Sequence, residues 1–370
     1  MIERSCEVAV VGAGVIGMAT AKALMAAGRD VRCFERSEPG AGQSAGSTRI
    51  FRHAHDSDAL VSLAVSARSS WRAWENELGN RLIGDEGLLR FDQGLDAAAD
   101  RLSLAGVPVE FLDTAGQARV FPGLRAPADL ALFEPAAGSI RARRTIEFLT
   151  GSVDPALVRA EVLGIEEASG DGYRLLVGDG FWRCDQLVLC AGTVTASLAA
   201  MLGIDIPISI RWHARASFAV RERASGSHFA CLQDFSGHHG ETVYGSAVGR
   251  TGLYAIGLVG STSDTPFQVA PKTMPSGLAA AELVDRIVQY VDFVLEALEP
   301  DPVEVRICPT TKLEAGKDAF AVFCERGVTA IAGNNLFKFA PVLGQLLAET
   351  AVRGRVARLL RTASTEASIN

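Results

Sequence analysis

Lysine is nearly absent from this chain. Five of the 36 basic residues are lysine and the rest are arginine, so each lysine carries weight when a site is sought. Histidine is scarce too, at six. The seven cysteines are dispersed, with no C-x-x-C pair and no Cys/His cluster at metal-ligand spacing. That distribution argues against a zinc module, a dithiol redox motif and a disulfide framework, and fits a reducing compartment. The one histidine pair, His238-His239, has no third ligand at zinc spacing and reads as a loop. No Walker A loop occurs. No run of about 20 residues is apolar and free of charges, so no membrane span is expected. The first apolar strand begins within about six residues, which leaves no room for a signal peptide and makes the cytoplasm the expected location. A formal net charge of −7 argues against nucleic acid or acidic membrane surfaces as partners.

What the chain does have begins at Cys6. The apolar strand Val8-Ala-Val-Val11 runs into Gly12-x-Gly14-x-x-Gly17, a helical segment follows, and a second strand, 31–34, ends on Glu35. This order is the fingerprint of a dinucleotide site. Gly12 allows the tight turn, Gly14 lets the backbone approach a pyrophosphate, and Gly17 allows close helix packing. The helix N-terminus, with Val15 and Ile16 in its first turn, offers free N–H groups and a positive dipole end to phosphate. Glu35 stands where a carboxylate accepts hydrogen bonds from ribose hydroxyls, with Arg36 beside it. The bland alternative is a glycine turn used only for packing.

At 370 residues and 48% hydrophobic content, the chain is long enough for two domains. Helical periodicity over 60–78 places Leu63, Val65, Trp71 and Trp74 at apolar positions, and 278–298 also reads as a helix. Short strand-like segments surround 87–91 and 107–111, and many more lie in 214–262. Two further apolar strands end in glycine, at Gly192 and Gly333, and helices are expected after each. The three strand-then-glycine signals are expected to share one parallel sheet, which the chain leaves and re-enters, with the ligand at the carboxyl ends of its strands. Arg141, Arg143 and Arg144 read as a solvated basic face, and the polar C-terminal residues as a frayed tail.

These pieces resemble the amine and amino-acid oxidases of the D-amino-acid oxidase superfamily, in particular monomeric sarcosine oxidase and glycine oxidase. The resemblance covers nearly the whole chain. Its most specific pieces are 12–35, Gly46-Ser-Thr-Arg-Ile-Phe-Arg-His53, 187–192, Arg306-Ile-Cys308 and 332–344. It implies an α/β (α+β) two-domain fold. A Rossmann-like FAD-binding domain would comprise 1–83, 141–212 and 318–370, and a mostly antiparallel substrate domain 84–140 and 213–317.

Residue by residue, the resemblance places Ser44, Thr48 and Arg49 in the segment that wraps FAD, with Val162 and Gly192 also against the cofactor. Gly333, Asn334, Asn335, Leu336 and Phe337 form a cofactor loop leading to Lys338. Arg52 and Lys338 match cations that hold the substrate carboxylate, a role suited to a guanidinium fork. Tyr244 matches a tyrosine lining the substrate cavity, although a strand tyrosine also serves plain sheet packing. Cys308 aligns with a cysteine that binds the flavin covalently in sarcosine oxidase, whereas glycine oxidases hold FAD without a covalent bond.

The chain also departs from the pattern. Ala45 replaces a histidine. Ala255 stands at or beside the position of a lysine that helps activate oxygen. The family's Gly-His-Gly before the Phe-Lys is replaced by Asn334-Asn335-Leu336. The resulting expectation is FAD-dependent oxidation of an amino acid, one with a secondary amine such as an N-substituted glycine, with O2 reduced to H2O2. The alternatives are a flavin amine dehydrogenase, a flavoprotein subunit without oxidase activity, and an NAD-linked dehydrogenase.

Overall fold

The structure is a computed structural model that describes residues 3–125, 127–178, 180–224, 228–237, 242–249, 251–258, 277–313 and 320–363. The His238-His239 pair and the C-terminal tail after 363 lie outside these residues.

The first sheet is organised around the strand Glu3–Val11, which is buried from Val8 to Val11. An unbroken apolar run of this kind needs cover on both faces. Its neighbours are Val31–Glu35 on one side and Gly180–Leu189 on the other, both parallel to it. Val328–Gly333 continues the parallel run beyond Gly180–Leu189, and Leu157–Arg159 extends it beyond Val31–Glu35. The strands ending near Gly12, Gly192 and Gly333 are therefore adjacent in one sheet, as the sequence anticipates. Antiparallel strands complete its edges.

One face of this sheet is covered by the helices Val15–Ala26, Ala142–Val153 and Ala340–Arg353, the last being the helix expected after Gly333. Gly344 lets the first and last of these cross closely, since a Cβ there would sit 2.6 Å from the Ala19 backbone. The expected helix over 60–78 spans Asp58–Leu78, capped by the Ser57 side chain and ended by Gly79 in the left-handed region. Leu63, Ala67, Trp71 and Trp74 are buried along it, but Val65 is 36% exposed. Two positions past Leu63 is about 200° around a helix, so Val65 points to solvent rather than into the core. The basic residues Arg143 and Arg144 are exposed, with Arg144 donating to Asn80.

The second sheet has eight strands, mixed but mainly antiparallel, drawn from 88–134 and 208–313. Its longest members are Ile208–Val220 and Leu298–Leu313, paired along most of their length. The helix expected over 278–298 ends at Val294, because Leu298 already belongs to this long strand. Strand alternation in Ile208–Val220 sends Ala214, Ala216 and Phe218 into a core that includes Ile287 and Val291 of the helix Gly277–Val294. The opposite face carries Arg211, His213, Arg215 and Ser217, and all four line a large cavity. Among the described residues, no helix is long and apolar enough to cross a membrane, and no group of three or more His, Cys, Asp or Glu is placed to hold a metal.

Candidate active site

A cavity of about 1160 Å³ runs from the Gly12 turn, along the carboxyl ends of the first sheet, to the inner face of the second. Apart from Gly17, the residues expected at a cofactor or substrate site all line it. Gly17 lies behind the turn: any Cβ there would collide with the Gly12 carbonyl oxygen. Gly12 itself has φ +100° and packs against the backbone of Cys190 and Ala191.

The turn is held in shape by side chains. Glu35 Oε2 accepts from Ala13 N–H at 2.9 Å, and Glu35 Oε1 accepts from the backbone N–H and hydroxyl of Ser37. A carboxylate has about four lone-pair sites, which leaves capacity for ribose hydroxyls. Ser44 Oγ accepts from Val15 N–H at 2.9 Å, so one of the first helix N–H groups is already capped by the chain itself. Ser44 lies in a stretch, 42–46, that spells G-x-S-x-G. That stretch is a loop rather than a strand-to-helix turn, so the letters do not make a hydrolase elbow here. Arg36 lies 3.7 Å from Glu161 across the mouth of the cavity, next to Val162.

The strand Thr48–Phe51 brings Arg49 and Arg52 to the cavity. Arg49 donates to the carbonyls of Thr48, Gln43 and Ala45, and its guanidinium stands 5.6 Å from the Phe337 ring centroid. Burial, reinforced by Arg215, lowers the pKa of Arg49 to about 10, so it remains cationic near neutrality. It ties the loop 43–48 to the Leu336–Phe339 turn.

Arg52 is 7% exposed and Lys338 6%. They are linked by contacts: Arg52 Nη1 lies 3.4 Å from His55 Nδ1, the His55 ring is 5.3 Å from Phe339, and Lys338 Nζ is 5.4 Å from that same Phe339 ring. Trp71 Nε1 donates to the Lys338 carbonyl at 2.7 Å and anchors the turn from below. Asn335, with φ +54°, sits in the left-handed region at the turn's entry.

Behind Arg52 lies a buried carboxylate that sequence reasoning missed. Glu134, 2% exposed, accepts from His53 N–H at 2.8 Å, from His53 Nδ1 at 2.6 Å and from Ala54 N–H at 3.2 Å. His53 and Glu134 are 81 residues apart, so no local spacing signals the pair.

One row of residues crosses the cavity face of the second sheet. Strand register places Arg90, Gln233, Tyr244, Gly257, Arg215 and Arg306 side by side across six strands. The Tyr244 ring lies over Gly257, where a Cβ would strike it, and the Arg215 guanidinium is 5.8 Å from its centroid. Burial raises the Tyr244 hydroxyl pKa, and Arg215 offsets part of that shift. Arg215 also donates to the Thr48 carbonyl at 2.6 Å and to Ser246 Oγ, joining the sheet to the Thr48–Phe51 strand. Ala255 is buried beside the cavity, with Ser217 opposite it.

Cys308 pairs with His213 across the two long strands, and both line the cavity. Burial, then Arg215 and Arg49, holds the His213 imidazole down to about 4, so it is neutral near pH 7. Cys308 is also the one cysteine that is only half-buried, the other six being buried.

These features fit a flavin dinucleotide. They provide a glycine turn for the pyrophosphate, an acid at the end of the second strand, and a cation-rich space beyond them large enough for the ring system.

Comparison with known proteins agrees with the geometry. Residues 7–350 match the family model described as DAO, FAD dependent oxidoreductase. Monomeric sarcosine oxidase of Streptomyces avermitilis is 28% identical over 218 residues, covering 55% of this chain and 56% of that protein. Glycine oxidase of Pseudomonas aeruginosa is 29% identical over 223 residues, covering 54% and 59%. The matches thus span little more than half the length of these relatives. Among solved structures, NikD, an unusual amino acid oxidase essential for nikkomycin biosynthesis, superposes with a TM-score of 0.85 at 23% identity over 99% of both chains. With the family match extending from the first strand to the helix Ala340–Arg353, this chain belongs to the DAO family of FAD-dependent oxidoreductases.

Proposed function

We propose that the protein oxidises an amino acid at its α-carbon–nitrogen bond, with a secondary amine such as an N-substituted glycine as substrate. The products would be an imine, which hydrolyses, and H2O2 from O2. The observation that carries this reading is the placement of two buried cations, Arg52 and Lys338, on the cavity that begins at the Gly12 turn.

FAD, when bound, supplies the two-electron acceptor. Gly12, Gly14, Val15 and Ile16 would hold its pyrophosphate, with Glu35 at the ribose. Ser44, Thr48, Arg49 and the turn 333–338 would enclose the rest, alongside Val162 and Gly192. The segments that build the first sheet form the cofactor domain in this reading, and 84–140 with 213–317 form the substrate domain. The strand Ile208–Val220 passes from one to the other.

Arg52 and Lys338 orient the substrate carboxylate, which fixes the α-carbon for transfer and supplies much of the rate by position alone. Tyr244 closes the cavity on the side of the second sheet. No carboxylate or histidine is needed as base if the site takes up the neutral amine, whose lone pair assists departure of the hydride.

A second reading, a flavin amine dehydrogenase, is supported by Ala255, since no lysine stands at that position to favour reaction with oxygen. Peroxide release with a panel of N-substituted glycines, compared with reduction of an artificial dye acceptor, separates the two. Arg52→Ala is expected to raise KM for the carboxylate substrate at least tenfold while the protein stays yellow. An unchanged KM would remove the carboxylate role.

A further inference from the structure

The charge of the cavity wall exceeds what one substrate carboxylate and a cofactor pyrophosphate call for. Nine basic side chains line it against five acidic ones, in a protein whose net charge is −7. The far end of the side-chain row, on the strand Leu88–Phe91, holds a buried arginine paired with an aspartate. Arg90 is 7% exposed there, and its Nη2 donates to Asp92 at 2.5 Å, with Phe235 under the guanidinium at 5.7 Å. Its Nε–H is buried and has no acceptor among the described residues. Next in the row, Gln233 is 4% exposed, and its Oε1 is likewise buried without a partner. The two ends of an amide are interchangeable in assignment, so that end serves equally as an NH2 donor.

Two adjacent buried polar groups lacking partners are costly unless something else supplies them. Both side chains line the main cavity. A second cavity of about 220 Å³ opens behind Arg90 and Asp92 and reaches Ala98 and Arg101 of the helix Leu95–Leu104, so this end of the site has room for a substituent.

We propose that Arg90 and Gln233 receive a second carboxylate, carried on the side chain or nitrogen substituent of the substrate, so that the protein acts on a dicarboxylic amino acid. The inference rests on the reading that Arg52 and Lys338 take the α-carboxylate, and it adds the substrate class. Arg90 keeps Asp92 at Nη2, and a turn of its side chain in the bound state brings the unpartnered Nε–H to the incoming oxygen, with the Gln233 amide beside it. This selects for charge as well as length, because a carboxylate oxygen takes a charge-assisted hydrogen bond from the guanidinium that is about twice as strong as one to a neutral end group.

The test uses the FAD-loaded protein and three non-oxidisable ligands of similar length: glutarate, its monoamide glutaramate, and pentanoate. Each is titrated against the visible flavin spectrum. Glutarate is expected to bind about tenfold or more tightly than either of the others, the scale of one added charge-assisted hydrogen bond. Arg90→Met is expected to abolish that preference while leaving pentanoate affinity within about twofold, and Gln233→Leu to reduce the preference in the same selective way. Arg52→Ala should weaken all three ligands. The proposal is overturned if glutaramate binds as well as glutarate, or if the Arg90 and Gln233 variants weaken all three ligands equally. If none of the three perturbs a bound flavin, the carboxylate reading of Arg52 falls as well. A wild-type protein that binds all three alike, with Arg52→Ala weakening them, rejects the second carboxylate alone.

Discussion

Removing the Glu134 carboxylate tests whether the turn carrying Arg52 is held from behind. The side chain accepts three hydrogen bonds, two of them from consecutive backbone N–H groups, in a site sealed from solvent. Glu134→Ala leaves those donors without acceptors. Each such group costs about 1–3 kcal/mol when buried. The three together set a loss of about 3–9 kcal/mol, a large share of the roughly 5–15 kcal/mol by which domains are stable. Glu134→Gln keeps the shape and one acceptor oxygen but turns an NH2 toward a backbone N–H, so it should lose about 1–3 kcal/mol. Urea unfolding followed by tryptophan fluorescence measures both, and a lower midpoint at constant slope reports stability alone. Because Trp71 and Trp74 pack in the core shared with Phe51 and Phe339, their emission reads this region directly. The Gln variant should also weaken carboxylate binding while flavin content stays unchanged, since Arg52 lies one residue before His53. A loss below about 1 kcal/mol for Glu134→Ala, or a Gln variant less stable than the Ala variant, would refute the bracing role.

Gly17→Ala should abolish FAD retention or folding, seen as colourless or insoluble protein, because its Cβ would overlap the Gly12 carbonyl and open the turn. Titration of native thiols should find one reactive cysteine, Cys308, if it is free, and none if it carries the flavin; burial pushes Cys6 and Cys190 up to about 12. In the second case the yellow colour follows the acid-precipitated pellet, and Cys308→Ser moves it to the supernatant. The depressed His213 predicts a pH effect whose sign follows from linkage. Between about 6.5 and about 4 the unfolded chain binds a proton that the native protein does not, so stability falls as pH drops through that window. His213→Asn should flatten this leg of a Tm–pH curve, and an identical curve for both proteins would show that His213 does not contribute.

The parts of the fold that were legible in the sequence are those specified by local pattern. Val8 to Glu35 spells out strand, turn, helix and strand in one stretch, and the strand-ending glycines at 192 and 333 mark where the same sheet is rejoined. The long strand Leu298–Leu313 was not legible, because Pro302 and Pro309 and alternating charges hide its pattern; it forms a sheet edge, where proline is tolerated. The site divides the same way. Residues within the resembling segments line the cavity together. Arg90, Gln233, His213 and Arg215 were invisible because their meaning depends on which strands pair, and register is a property of the assembled sheet.

That assembly also has a clock. The first strand made is the centre of the first sheet, yet Val8 pairs with Gln186, and the strand beyond it, Val328–Gly333, comes near the end of the chain. At ribosomal speeds of about 5–20 residues per second, the N-terminal strand waits roughly 10–40 s for its partner on that side. Until then it is a nearly continuous apolar edge without cover on that side. The glycine turn is synthesised first, but the cavity it opens is closed only when Lys338 and the helix Ala340–Arg353 have emerged. Cofactor capture therefore waits for these segments, and expression at low temperature with ample flavin should raise the yield of yellow, soluble chain.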